Sequence, residues 1–184
     1  MRIGRLFAVS MLSVTVLTVV LGAGVLVPQY LTFASKTEAI KAVEAYGTVL
    51  AVGQQVAGYR APYVGPLFQE SAATPAQMET AAKAVQAADA AFAKARTAVG
   101  ALSDGAAIVQ GLNQAAAKLA EVRTASDRAM ALPMSARDSA AMKGFLPGIS
   151  AVVGILEPLL NRLENQVAVA DASLRMSRDS ISSD

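Results

Sequence analysis

The sequence predicts an all-α protein in which an N-terminal transmembrane signal-anchor helix continues into an up-down antiparallel helical bundle. Three observations predict this class. Residues 6–27 form an unbroken run that is uncharged and mostly apolar. Beyond this run, apolar residues recur at spacings of three and four, as they do on one face of a helix. No window of comparable length in the sequence shows the two-residue alternation of a β-strand.

The apolar run is long enough to cross a membrane. A helix rises about 1.5 Å per residue, so residues 6–27 cover a hydrocarbon core of about 30 Å. The alternative is a cleaved signal peptide, whose apolar core is about 7–15 residues long. The nearest small-x-small site, Thr32-Phe33-Ala34, lies beyond Tyr30. We therefore expect an uncleaved anchor, and Arg2 and Arg5 before it predict a cytoplasmic N-terminus.

The pattern predicts four helices, over residues 6–59 including the membrane span, 75–99, 105–131 and 136–170. The last three carry apolar residues at the a and d positions of a heptad repeat, which favours helix-on-helix packing. A weaker stripe continues the membrane helix outward. The four stripes are Ile40, Val43, Gly47, Leu50 and Ala57; Met78, Ala81, Val85, Ala88, Phe92, Ala95 and Val99; Ile108, Leu112, Ala115, Leu119, Val122, Ser126 and Ala129; and Ile149, Val153, Leu156, Leu160, Leu163, Val167 and Ala170.

Helix boundaries are marked by capping residues, glycines and prolines. Thr74-Pro75-Ala76-Gln77 offers an N-cap, a proline in the first turn and a glutamine that can close a capping box. Gly100 ends this helix, and Ser135 with Asp138 offers a second capping signal after Pro133.

The last predicted helix contains Pro147 and Pro158. Each removes a backbone donor, and we expect each to kink or interrupt the helix. The predicted organisation is therefore a cytoplasmic N-terminus and membrane helix over residues 1–30, a helical-bundle domain over 31–170, and a linker or the start of a further helix over 171–184.

The composition excludes most catalytic and metal chemistry. Histidine and cysteine are absent from the sequence, which removes imidazole bases, thiolate nucleophiles and the usual zinc ligands. We expect no enzyme activity, no catalytic residue, no metal site and no cofactor. From Pro28 to Asp184 the acidic and basic residues balance and are scattered singly, so we expect no nucleic-acid partner.

A candidate ligand-binding element lies where the first helix is predicted to end. The segment Gly58–Pro66 combines two glycines and two prolines with Tyr59, Arg60 and Tyr63. A guanidinium flanked by phenols suits a small anion, which it can bind through paired hydrogen bonds. The alternative is a helix-ending loop whose aromatic rings plug the tip of the bundle. Four other arginines are each expected to be solvated surface residues: Arg96, Arg123, Arg128 and Arg137.

The order of these elements and one segment carry a family resemblance. Arg123–Asp138 has the form Arg-x-x-x-Asp-x-Ala-x-x-Leu-Pro-x-x-x-Arg-Asp. With the basic N-terminus, the anchor helix and the Ala-rich helix, it resembles the N-terminal periplasmic region of bacterial transmembrane receptors, chiefly methyl-accepting chemotaxis proteins. Similar regions precede histidine kinases and diguanylate cyclases.

The resemblance implies a sensory input module in the bacterial inner membrane, with most of the chain in the periplasm. It implies a homodimer that binds a small solute and passes a helix shift of about 1–2 Å through the membrane. In the nitrate-sensing class the matching arginine lies in a Glu-Arg-Gly-like element, whereas Arg60 stands between Tyr59 and Ala61.

Two further interpretations remain open from the sequence. Nothing after Asp171 is predicted to span a bilayer, although receptors of this type return through a second membrane helix. The chain is therefore expected to be either the input part of a receptor or a free-standing anchored scaffold that contacts other proteins. A cleaved and secreted helical protein is the third interpretation.

Overall fold

The computed structural model describes residues 36–181 of the chain. These residues form helices and short connections, with no strand among them, and the predicted all-α class is confirmed. The predicted anchor at residues 6–27 lies outside the described residues. Contacts divide the chain into one unit of Ile40–Val169 and another of Met1–Ala39 with Ala170–Asp184. Of the second unit, the described residues 36–39 and 170–181 are helical.

Five helices follow one another along the described residues. Helix α1 covers residues 36–58, and a one-residue turn at Tyr59 separates it from the short helix α2. A 3₁₀ turn precedes the last and longest helix. The printed bounds are α2 Arg60–Phe68, α3 Pro75–Gly100, α4 Ala106–Met130, the 3₁₀ turn Met134–Ala136, and α5 Ser139–Ile181.

The segment predicted as an irregular loop forms helix α2 instead. Pro62 is the third residue of α2, and in the first turn of a helix a missing N–H costs no hydrogen bond. Pro66 lies near the other end, and α2 stops two residues later at Phe68. The loop prediction was therefore wrong for residues 60–68: the prolines limit α2 to about two turns but do not prevent it.

Helix α3 begins as the sequence predicts. The backbone N–H of Gln77 donates to Thr74 Oγ1 at 3.3 Å, and the N–H of Thr74 donates to Gln77 Oε1 at 2.8 Å. This is the reciprocal capping box, and Pro75 stands in the first turn beside it. At α5 the cap is Asp138, whose carboxylate accepts from the N–H of Ala140 at 2.8 Å.

Helix α5 is continuous through both of its prolines. Pro147 and Pro158 lie inside the helix, on its exposed side, and neither interrupts it. Within the described residues, its Ser139–Val169 part is the one segment long and apolar enough to cross a membrane, and the most apolar 18 residues of this part have a mean hydropathy of 1.5. Length and composition alone give this result, and one face of α5 contributes to the hydrophobic core.

The core of the Ile40–Val169 unit is built from all five helices. On α4 all seven predicted stripe residues, from Ile108 to Ala129, are buried. On α3 five members of the predicted stripe are buried: Ala81, Ala88, Phe92, Ala95 and Val99. Met78 and Val85 are half-buried and pack against the edge of the core. The heptad pattern therefore identifies the inward faces of these two helices.

On α1 the predicted stripe is wrong as a core face. Ile40, Val43 and Leu50 are 69%, 55% and 40% exposed. The buried face lies on the opposite side and has smaller side chains, Ala42, Ala45, Val49, Val52 and Val56, and its spacing continues through Tyr59 in the turn and Tyr63 in α2. These residues also follow spacings of three and four, so α1 carries two apolar stripes. Only one of the two meets the core.

On α5 the heptad interpretation misplaces one residue. Val153 is 38% exposed, whereas its neighbour Val152 is buried, as are Phe145, Ile149, Leu156 and Leu163. The buried set runs at spacings of four, three, four and seven. Leu160 and Val167 are half-buried at its edge, and the side chain of Ala170 lies outside the described set.

Two glycines allow α4 and α5 to approach each other closely. A Cβ added at Gly111 would lie 2.6 Å from Leu159 Cδ2, and one added at Gly148 would collide with Val122 Cγ2. The side chains of Leu159 and Val122 therefore occupy the volume that larger residues would need at these two positions. Interiors are densely packed, so even one added methyl group is resisted there.

Gly105, which precedes α4, has no room for a side chain. A Cβ at this position would collide with the backbone carbonyl oxygen of Val99. We expect Gly105→Ala to lower the free energy of unfolding by about 1–3 kcal/mol, because backbone must move. The control is Gly100→Ala, where a Cβ has nothing within 4 Å. Thermal unfolding followed by circular dichroism checks this, and equal melting temperatures for the two variants would contradict it.

Candidate functional site

The three predicted ligand-binding residues occupy two different environments. Tyr59 and Tyr63 are 1% and 0% exposed and belong to the core. Arg60, the first residue of α2, is exposed. The structure therefore brings the two tyrosines together inside the protein and leaves the guanidinium at the surface. Ligand contact by Arg60, Tyr59 and Tyr63 stays a prediction.

A chain of hydrogen bonds joins the two tyrosines to α4. Tyr63 Oη donates to Asp127 Oδ1 at 2.8 Å, and the hydroxyl oxygens of Tyr59 and Tyr63 are 3.1 Å apart. Each phenol has one hydrogen. Since Tyr63 donates its hydrogen to the carboxylate, Tyr59 must donate to Tyr63. The hydrogens therefore all point along one direction, from Tyr59 through Tyr63 to Asp127.

The same two rings form an aromatic stack with α5. The ring centroids of Tyr59 and Tyr63 are 4.7 Å apart with an interplanar angle of 13°. Phe145 stacks on Tyr63 at 5.5 Å and 24°. Such aromatic pairs contribute about 0.5–1.5 kcal/mol beyond the burial of their area. Tyr63 is therefore held by a hydrogen bond to α4 and by a ring contact with α5.

Burial keeps both phenols protonated. Desolvation raises the pKa of Tyr59 from 10.0 to about 12, with the negative charge of Asp127 adding to the shift. Desolvation likewise raises the pKa of Tyr63, and its hydrogen bonds to Tyr59 and Asp127 raise the pKa further. Neither phenol is suited to act as a base near neutral pH. The arrangement is a rigid connection between helices.

A small cleft lies beside Tyr59, between α3 and α4. It is partly open to solvent, has room for about one water molecule, and is lined by alanines, Val85, Leu119 and the two charged residues Asp89 and Arg123. Arg123 Nη1 lies 3.6 Å from Asp89 Oδ2, a long ion pair. The hydroxyl of Tyr59 donates its hydrogen to Tyr63, and its oxygen receives no hydrogen bond from the described residues. The cleft therefore offers a water-sized polar molecule an acceptor and an ion pair.

Arg137 is the arginine whose position differs most from the sequence prediction. It was expected at the solvated surface, yet it is 7% exposed. Its guanidinium donates to four backbone carbonyl oxygens: those of Leu132 at 2.8 Å, Leu67 at 2.8 Å, Gln69 at 2.9 Å and Ser71 at 2.7 Å. It therefore joins the connection after α2 to the connection after α4.

Backbone hydrogen bonds support the same junction. The N–H of Ala73 donates to the carbonyl of Met130 at 2.8 Å, and the N–H of Met134 donates to that of Glu70 at 2.9 Å. A sequence signal for this junction existed. Asp127, Arg137 and the cap Asp138 all lie in the segment Arg123–Asp138 on which the family resemblance rests. That resemblance gave the segment no structural role, so it did not reveal the junction.

Of the other three arginines, Arg128 lies at the surface as predicted, whereas Arg96 and Arg123 are half-buried, and the Arg96 Nε has no hydrogen-bond partner among the described residues. Arg123 lines the cleft, Arg128 is exposed, and the Arg96 guanidinium lies 5.8 Å from the centre of the Phe92 ring. Among the described residues, no three acidic side chains gather in a way that would hold a metal ion.

Comparison of the chain with known protein families, with curated proteins and with solved structures finds no match in any of the three.

Removing Arg137 should destabilise the fold strongly. Arg137→Ala leaves four carbonyl oxygens without their charged donor, and we expect a loss of about 3 kcal/mol in the free energy of unfolding. Arg128→Ala removes the same charge from an exposed position of α4 and should change stability by less than about 0.5 kcal/mol. Denaturant unfolding of both variants tests this, and an Arg137→Ala loss no larger than that of Arg128→Ala would contradict it.

Because the tyrosine pKa values are raised, the free energy of unfolding depends on pH in the alkaline range. The folded state retains a proton on Tyr59 up to a pKa of about 12, whereas the unfolded state releases it at about 10.0. The contribution is therefore constant below pH 10 and is lost as the pH rises from 10 towards 12. We expect the melting temperature of Tyr59→Phe to fall less steeply above pH 10 than that of the unsubstituted chain. Parallel slopes would contradict this assignment.

Proposed function

We propose that this chain is a membrane-anchored periplasmic input module of a bacterial signal-transduction receptor, one that acts in chemotaxis. It binds a small solute, an anion by the chemistry of Arg60, and passes a helix shift across the inner membrane. The helices form an up-down antiparallel bundle, with residues 1–30 as cytoplasmic N-terminus and membrane helix. Its partners are the lipid bilayer and a second copy of the chain.

One observation carries this proposal. The buried stripe of α1 ends at Tyr59, whose hydroxyl is linked through Tyr63 to Asp127 on α4. The end of α1 that is farthest along the chain from residues 6–27 is thus joined to α4 by two consecutive hydrogen bonds. A displacement of α4 or α5 at this point moves α1 along with it.

The surface position of Arg60 suits a residue that meets a solute first. Arg60 is the first residue of α2 and directly follows Tyr59. An anion bound to its guanidinium therefore exerts a force on the turn that separates α1 from α2. Bidentate hydrogen bonds from a guanidinium to a carboxylate or nitrate are directional and charge-assisted. Binding at Arg60 therefore acts next to the hydrogen-bonded tyrosines.

The proposed location rests on the N-terminal sequence. Arg2 and Arg5 before the apolar run favour a cytoplasmic N-terminus and a periplasmic bundle. The apolar character of Ser139–Val169 is compatible with a membrane protein, although it is a weaker indication.

Small anions should stabilise the full chain through Arg60. We expect nitrate or a small carboxylate to raise its melting temperature in detergent, and Arg60→Ala to remove the rise without changing helicity. Arg162→Ala, which removes an exposed arginine of α5, is the matched control and should keep the rise. A rise that survives Arg60→Ala, or the absence of any rise, would contradict ligand binding by Arg60.

A second function is favoured by a different observation. Three large apolar side chains of α1 are exposed, Ile40, Val43 and Leu50, and apolar surface of this kind marks contacts with other proteins. An anchored scaffold would use such a face to hold a partner and would show no response to solutes. The anion experiment separates this alternative from the sensory module.

A further inference from the structure

The hydroxyl oxygen of Tyr59 is a buried hydrogen-bond acceptor beside the cleft between α3 and α4. The residue is 1% exposed and lines this cleft. Its single hydrogen is donated to Tyr63, and no described residue donates to its oxygen. Buried oxygens in proteins usually accept hydrogen bonds from protein groups or from ordered water. This oxygen is therefore able to accept from a group held in the cleft.

Two charged side chains line the same cleft without bonding each other closely. Arg123 Nη1 on α4 lies 3.6 Å from Asp89 Oδ2 on α3. A hydrogen bond between a guanidinium and a carboxylate measures about 2.7–2.9 Å, so this pair is separated by more than one direct bond. Water bridges many polar contacts of this length. The ion pair therefore has a donor and an acceptor left for a third group.

The acceptor and the ion pair belong to one site. Burial is the main cause of the raised pKa of the Tyr59 phenol. The charges of Arg123 and Asp89 also act on this pKa, since Arg123 lowers it and Asp89 raises it. The phenol oxygen thus lies within the electric field of both side chains.

The size of the cleft limits what it can hold. It has room for about one water molecule. The remaining lining residues are apolar: Val85, Ala88, Ala116, Leu119 and Ala120. Their side chains offer no hydrogen bonds, so an occupant must bond to the phenol oxygen and the ion pair.

The donors and acceptors of the site select among occupants of this size. A small anion such as chloride would face the lone pairs of Tyr59 and the carboxylate of Asp89. A metal ion or ammonium would face the guanidinium of Arg123, which carries positive charge and has no acceptor. Of these occupants, only water can both donate to the two oxygens and accept from the guanidinium.

We propose that a bound water bridges Tyr59 to Asp89 and Arg123. The water donates one hydrogen to Tyr59 Oη and the other to the carboxylate, and it accepts from the guanidinium. Its bond to Tyr59 points the same way as the bonds from Tyr59 to Tyr63 and from Tyr63 to Asp127. Hydrogen bonds aligned in this way strengthen one another. The polar chain that joins Tyr59 to α4 thereby extends to α3.

A crystal structure of the full chain in detergent, at a resolution that shows ordered water, tests the site directly. We expect one water within hydrogen-bond distance of Tyr59 Oη and of the Asp89 carboxylate or the Arg123 guanidinium. The same water should be lost from the Tyr59→Phe variant, which has no acceptor at this place. A direct bond from Arg123 to Tyr59, an ion in the cleft, or no ordered water there would each overturn the proposal.

A double-variant comparison tests whether the water couples α3 to Tyr59. The melting temperature is measured for Tyr59→Phe, for Asp89→Ala and for the chain that carries both. Each single substitution removes a partner of the same water, so the second loses less once the first is present. We expect the loss of the double variant to fall short of the summed single losses by about 2–4 °C.

Glu79→Ala is the matched control for Asp89→Ala. Glu79 lies on the same helix, its side chain is 66% exposed against 67% for Asp89, and it is ion-paired with Lys83. It does not line the cleft. Its loss should add to that of Tyr59→Phe. Additive losses for Asp89→Ala, or an equal shortfall for Glu79→Ala, would overturn the bridge. None of these outcomes depends on the membrane anchor or on the anion binding of the proposed function.

Discussion

Helix α2 is held by the buried side chains of Tyr63, Pro66 and Leu67, and the hydrogen bond from Tyr63 to Asp127 is its polar link to α4. Two turns of helix that contain two prolines have little intrinsic stability. The tyrosine anchors this short element by placing its hydroxyl on α4 and its ring against Phe145 of α5. Once α2 is held in this way, Leu67 and the backbone after it reach Arg137. The polar contacts at this end of the helices thus run from Asp127 through Tyr63 and α2 to Arg137.

The sequence predicted most of the regular structure for a simple physical reason. On α3 and α4 each apolar stripe is the only strong one, so heptad spacing and burial coincide along Ile108–Ala129. The capping box at Thr74 is a local arrangement of neighbouring residues, and local chemistry is sufficient to predict it. On α1 two stripes compete. The larger side chains predicted that the stripe with Ile40 and Leu50 would be buried, whereas the stripe of alanines and valines lies in the core.

The polar site was harder to predict because its partners are distant in the sequence. The sequence shows that Tyr63 and Asp127 are polar, but it does not show that they meet, because they are 64 positions apart. Arg137 was harder still, since its partners are backbone carbonyls and leave no trace in residue identity. The prolines of residues 60–68 also led to a wrong loop prediction, because the sequence does not distinguish a proline in the first turn of a helix from one in a loop.

The two prolines of α5 give that helix a preferred direction of bending. They are eleven residues apart, which is close to three full turns, so both lie on the same exposed side. Each leaves the carbonyl four residues earlier without its helical hydrogen bond, at Lys143 and at Gly154. The weakened points are thus aligned along one edge of the helix. Bending α5 about them moves its two ends within a single plane, and the buried face from Phe145 to Leu163 lies on the opposite side from these points.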